Sequence, residues 1–163
     1  MRMIRIDVKS ILLSALSSAK EQIQRNLADT GTNASGKTSQ SLAVAVTDSS
    51  GVLSGRFAFG TVETGRKEGK VPSGFRDIIY QWMQDKGVHA EARGMRSQES
   101  ADMSMANLIA RKIAREGSKL YREGGRKDIY SNVLPITIER VSKELTNVYI
   151  ININSIIDDN LNK

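Results

Sequence analysis

The chain has 163 residues, with 24 Lys and Arg against 18 Asp and Glu, a net charge of +6 and 26% charged residues. That length predicts one globular domain that buries about 70% of its unfolded surface without disulfides or a structural metal. The lack of cysteine excludes disulfide scaffolds, thiolate zinc sites, iron–sulfur clusters and cysteine nucleophiles, and the single histidine, His89, argues against a His-ligated metal centre or a Ser-His-Asp triad. No apolar run reaches the roughly 20 residues of a membrane span, and the first residues carry no signal-peptide pattern, so a soluble chain made in a cytoplasm is expected.

Residues 8–28 place Val8, Ile11, Leu12, Ala15, Leu16, Ala19, Ile23 and Leu27 at spacings of three and four. This is the pattern of a long amphipathic helix, with Asp7 as N-cap and Asp29, Thr30 and Gly31 as the stop. A loop rich in Gly, Ser, Thr and Asn follows over 30–38. From Ser41 the period falls to two, as Leu42, Val44 and Val46 alternate with Ala43, Ala45 and Thr47. A turn over 48–51 and a second run over 52–62, with Phe57 and Phe59 on one face, complete a predicted hairpin.

Residues 65–70 form a basic, glycine-containing loop, after which Pro72 and Ser73 open a short helix. Its stripe is Phe75, Ile78, Ile79, Trp82 and Met83, with Trp82 expected in the core, and Gly87 closes it. Residues 88–99 hold Glu91, Arg93, Arg96 and Glu99 with almost no apolar content and read as a flexible loop. Ser100 is the candidate cap of a third helix, striped by Met105, Ile109 and Ile113, lined by Ala106, Ala110 and Ala114, and ended by Gly117. The last third is ambiguous: 133–145 fits a helix with Pro135 in its first turn, while 148–153 is β-branched and fits a strand. The expected class is α+β, a single domain in which a long N-terminal helix and further helices pack on a small antiparallel sheet.

Three local patterns carry candidate chemistry. GTNASGKT over 31–38 satisfies the phosphate-loop pattern G-x-x-x-x-G-K-S/T. That loop needs a strand before it and a helix after it, and here a helix precedes and a strand follows, so a connecting turn is the better reading. Asp48 with Glu68 and Lys70 echoes the acid plus E-x-K set of magnesium-dependent nucleases, although Glu68 sits among glycines and bases instead of on a strand. Third, Arg111, Lys112, Arg115, Lys119, Arg122, Arg126 and Lys127 face only Glu116 and Glu123 in one short stretch. Such a cluster suits phosphate, the acidic surface of a protein partner, or a solvated helix face. His89 follows a helix stop in a polar context and reads as a surface loop residue.

Taken together, ASGKTSQSL over 34–42, VETG over 62–65, the single-Trp helix over 75–87 and ARKIAREG over 110–117 resemble the head–tail joining, neck and tail-completion proteins of tailed bacteriophages. The resemblance spans about residues 5–130, leaving 131–163 as a C-terminal extension. It implies a non-enzymatic virion subunit, without cofactor or metal, repeated as a homo-oligomeric ring between portal or connector and tail. Its implied partners are those neighbouring proteins and packaged DNA where it passes through the lumen, with no membrane, and its implied location is the virion neck or tail after synthesis in a host bacterial cytoplasm. In that family the Ser-Gly segment opens a strand and binds no nucleotide. A ring subunit needs two complementary faces. The basic cluster would supply one, and loops at 63–72 and 88–99 carrying Arg66, Lys67, Lys70, Arg93 and Arg96 would supply assembly contacts. The rival reading is a magnesium-dependent phage nuclease using Asp48, Glu68 and Lys70, or a basic DNA-binding module.

Overall fold

A computed structural model of the chain describes residues 7–94 and 97–161. The first helix, α1 (Val8–Asp29), is capped as its sequence demands: the Asp7 carboxylate accepts the Ser10 N–H at 3.0 Å, and Thr30 closes the other end. Its buried side chains, Ala15, Ala19, Ile23 and Leu27, recur every four residues, and the last three form one wall of the larger core. After the one-turn α2 (Lys37–Gln40), β1 (Ala43–Val46) pairs antiparallel with β2 (Gly51–Ser54), Val44 opposite Leu53. Val44, Val46 and Leu53 are the less exposed residues of the alternation, and α1 lies against both strands.

The second half of the expected hairpin run is not strand. Beyond Ser54 the chain bends through a tight 3₁₀ turn, Phe57–Gly60, into the single turn α3 (Thr61–Thr64). Ser41 Oγ fixes this departure by accepting the Arg56 N–H at 3.1 Å. Phe57 is consequently fully exposed, while Phe59 packs on Tyr130 with ring centroids 5.2 Å apart.

Helices α4 (Phe75–Asp85) and α5 (Gln98–Glu116) make a second core of Ile79, Met83, Ala106 and Ala110. Gly87 ends α4 with paired reverse bonds, Gly87 N–H to Gln84 O at 3.0 Å and Val88 N–H to Met83 O at 2.8 Å, and Val88 folds back onto the helix. Two expectations change here. Trp82 and Ile78 lie on the outer side of α4 and are exposed, because the side of α4 turned to α5 is that of Phe75, Ile79, Tyr80 and Met83. Ser97, not Ser100, caps α5, its hydroxyl accepting the Ser100 N–H.

After the short α6 (Lys119–Arg122), α7 (Val133–Leu161) runs unbroken for 29 residues, about 43 Å. No strand forms at 148–153. The β-branched run costs a helix only a few tenths of a kcal/mol per residue, whereas a lone strand would leave its backbone bonds unmade. Helix α7 packs antiparallel on α1: Val133 joins the Leu27 end, and Arg140 reaches Ser14 and Ser18 at 3.2 and 3.3 Å. The fold is thus α+β, with helices against one two-stranded antiparallel sheet. Among the described residues no helix is long and apolar enough to cross a membrane.

Candidate functional site

The basic end of the molecule rests on a junction between α3, α6 and the turn before α7. Glu63 is 2% exposed, and its Oε1 accepts the N–H groups of Ile129, Tyr130 and Ser131 at 2.8, 2.6 and 3.0 Å. The Ser131 hydroxyl donates to Oε2. Burial pushes this carboxyl up, but the hydrogen bonds from Ser131, Tyr130 and Ile129 together outweigh that and hold it below its ordinary value of 4.5. The Glu63 carbonyl in turn accepts the Arg126 N–H at 2.8 Å, so one residue fixes both the start of the turn and its approach to α7.

Residues 65–70, expected as a basic, glycine-containing loop, are bonded along the end of α5. Ser118 N–H donates to Arg66 O at 2.8 Å, Arg66 N–H to Ser118 Oγ at 2.9 Å and Gly69 N–H to Ala114 O at 2.8 Å. The close approach requires Gly65, at φ +70°: a Cβ there would stand 2.9 Å from Tyr121 Cα and closer still to Tyr121 N. Arg66 is spent on this packing, with its guanidinium over Phe75 at 5.2 Å and Nη2 donating to Lys70 O at 2.8 Å. Lys67, beside Glu68 at 3.9 Å, and Lys70 remain on the surface.

The structure gathers the seven bases of the cluster but pairs most of them. Arg115 and Arg122 both engage Glu116, Arg122 at 2.9 Å, and Lys119 meets Glu123 at 3.7 Å. The Arg115 hydrogen bond leads in holding Glu116 below its ordinary value, helped by the charges of Lys112 and Arg122. Arg126 grips Asp128 through two bonds of 2.6 and 2.7 Å and reaches Thr32 at 3.2 Å, which makes it a strut between the turn and the end of α1. Arg111, Lys112 and Lys127 are exposed and have no ion-pair partner within 4.0 Å among the described residues.

The backbone speaks against the phosphate-loop assignment. Although the one-turn α2 begins at Lys37, where a loop running into a strand was expected, the long helix α1 instead of a strand leads in. Thr32 and Asn33 N–H both go to Leu27 O, at 3.1 and 3.2 Å, and Ala34 N–H to Thr32 O. The Lys86 ammonium caps the outside by donating to Gly31 O. Lys37→Ala is therefore expected to leave the melting temperature unchanged, and neither ATP nor GTP should raise it. A nucleotide-dependent rise of several degrees in the wild type alone would reinstate the site, since ligand at a hundred times its Kd contributes about 2.7 kcal/mol.

The nuclease set is dispersed. Asp48, 98% exposed at the hairpin tip, meets Lys9 at 4.0 Å near the start of α1, whereas Glu68 and Lys70 sit by the end of α5. Among the described residues no three Asp, Glu, His or Cys side chains gather in a metal-binding group.

A second buried carboxylate went unseen in the sequence. Asp102 on α5 accepts His89 Nδ1 at 2.9 Å, Ala90 N–H at 2.7 Å, Gln98 Nε2 at 2.9 Å and Gln84 Nε2 at 3.2 Å. These bonds, His89 first, hold it far below the usual carboxylate range against the opposing effect of burial. His89 is thus half-exposed yet tied down, and residues 88–90 are pinned to α5 instead of free. The signal was present: Asp102 occupies a stripe position three and four residues before Met105 and Ala106. Farther along, Arg93 pairs with Glu91 at 2.8 Å on the surface, and Arg96 lies outside the described residues.

No family model, curated protein or solved structure matches the chain.

Proposed function

We propose that this chain is a structural subunit of a ring at the neck or head–tail junction of a tailed bacteriophage, non-enzymatic, and seated between the portal or connector and the tail. The observation that supports this reading best is the junction around Glu63. The short motifs behind the phage resemblance supply Ser41, Glu63 and Gly65, the residues on which the fold leans for its chain reversal, its buried anchor and its closest backbone approach. Arg111 and Lys112 on α5 and Lys127 in the turn before α7 are the exposed cations of the cluster left without an ion pair among the described residues. Fixed charges of one sign set orientation and register against an acidic neighbour, or steer phosphate, more than they add affinity.

The direct test is a reconstruction of the parent particle, or mass spectrometry of purified particles with antibody labelling. The protein should appear at the head–tail junction in several copies, and its absence from the virion would overturn the proposal. Reversing Arg111→Glu together with Lys112→Glu is expected to leave helicity unchanged and folding stability within about 0.5 kcal/mol of the wild type, because both side chains are exposed. Docking onto the neighbouring ring should be lost in a reconstitution assay. If instead duplex DNA binding falls, with the slope of log affinity against log salt reduced by about 0.9 per phosphate contact, the cations face the lumen. No change in either assay would return them to solvent.

A further inference from the structure

Along α7, Val133 is buried and Thr137, Val141, Leu145 and Val148 are half-buried, but Leu134, Ile136 and Ile138 are exposed by between 44% and 69%, and the exposure of aliphatic residues continues farther along. The stripe that continues from Val141, Leu145 and Val148 turns polar at Asn152 and Ser155, which are half-buried. Tyr149, Ile150, Ile153 and Ile157 instead fall within about 100° of helix surface on another side, and each is exposed by between 48% and 55%. A helix that leaves aliphatic residues in water while Asn152 and Ser155 are half-buried contradicts its own fold as an isolated subunit. The contradiction disappears once that side is covered.

We propose that this face of α7 is a subunit interface that packs against α7 of a second copy of the chain. Three features identify the occupant. The four side chains expose on the order of 400 Å² of mainly apolar surface, about half of the ~800 Å² that each partner contributes to a standard interface and enough for its dry centre. Residues 145–157 are the longest run in the chain without a charged side chain, and charge depletion is the mark of an interface core. Thr146 and Asn154 flank the apolar side chains and supply a polar rim. A surface with neither charge nor buried donors selects a partner of the same character, and the same helix of a neighbouring copy has it. Because the same face meets itself, this contact closes a two-fold pair and is separate from the head-to-tail repeat of a ring; it rests on the proposed homo-oligomer only for the choice of a second copy.

The test is the mass of the purified full chain by light scattering and sedimentation across a concentration series, for the wild type and for Ile150→Lys with Ile153→Lys. The control is Ile136→Lys, which alters a side chain of α7 that is 68% exposed and more than three turns away. All proteins should keep wild-type circular dichroism, since every altered side chain faces solvent in the single subunit. The wild type and the control should associate, and the double variant should associate on the order of 100-fold more weakly or remain monomeric. Association of the double variant equal to that of the wild type would overturn the α7 interface and leave the ring reading standing on other faces. A wild type that stays monomeric at high concentration would overturn the interface, whatever partner then covers α7. A wild type that stops at a dimer broken by the double variant is the two-fold pair expected and would confirm the interface.

Discussion

Glu63→Ala is expected to lower folding stability by about 3–5 kcal/mol, a large part of the total for a domain of this size. The change removes the shared acceptor of three backbone N–H groups, at Ile129, Tyr130 and Ser131, in a place where Glu63 itself is 2% exposed and water cannot replace it fully. It also loosens the turn that delivers Val133 to the Leu27 end of α1, so α7 should lose register along with the anchor. Denaturant unfolding followed by circular dichroism measures the loss, and a loss under about 1 kcal/mol would show that the turn holds without the carboxylate. The milder Glu63→Gln separates charge from shape. Because the folded carboxyl is held below 4.5, the unfolded chain takes up its proton first as pH falls. The stabilisation is complete above about pH 4.5 and fades as pH drops through the lowered folded value. Stability of the wild type should thus decline on acidification below that point, and Glu63→Gln should show a shallower decline from a lower starting value.

Gly65→Ala should be nearly as damaging, by about 3 kcal/mol or more. Gly65 adopts φ +70° with ψ −177°, a region closed to other residues, and its missing Cβ would meet the backbone of Tyr121, which cannot rotate aside as a side chain would. Gly60→Ala, five residues earlier, is the matched comparison. Gly60 has φ −59° and ψ −25°, and an added methyl group would meet no atom within 4 Å, so alanine should stabilise by about 0.4–1 kcal/mol through the unfolded chain. Urea midpoints at constant m-value read both, and a neutral Gly65→Ala would mean that α3 and α6 do not touch in solution.

The elements legible in the sequence are those fixed by local rules. Asp7 capping α1, the Leu42–Val46 alternation and the Gly87 stop each depend on neighbours within a few residues, and each appears where the pattern puts it. What stayed hidden depends on contacts across the chain. Residues 65–70 look mobile from their charge and glycine, yet their amides find partners at Ala114 and Ser118, some fifty positions away. Residues 148–153 suit a strand by propensity, but they continue a helix that is already packed on α1, and the two-stranded sheet takes up no third strand. The basic cluster was visible as a number of charges, while its division into struts such as Arg126 and exposed cations such as Arg111 required the positions of Glu116, Asp128 and Thr32. Glu63 stood in plain sight within an apolar run, and only its depth in the fold shows why an acid belongs there.

The pairing of α1 with α7 also sets an order of events during synthesis. Asn26 on α1 donates to the carbonyl of Ile129, across 103 positions of chain. At about 5–20 residues per second, the ribosome needs roughly 5–20 s to deliver that partner after α1 has emerged. During this interval the hairpin covers part of Ile23 and Leu27, and the rest of that wall is open to water and to chaperones. Helices α4 and α5 are separated by only a short connection and can join as soon as α5 is out, so the smaller core is complete while the larger one is still waiting for its final wall.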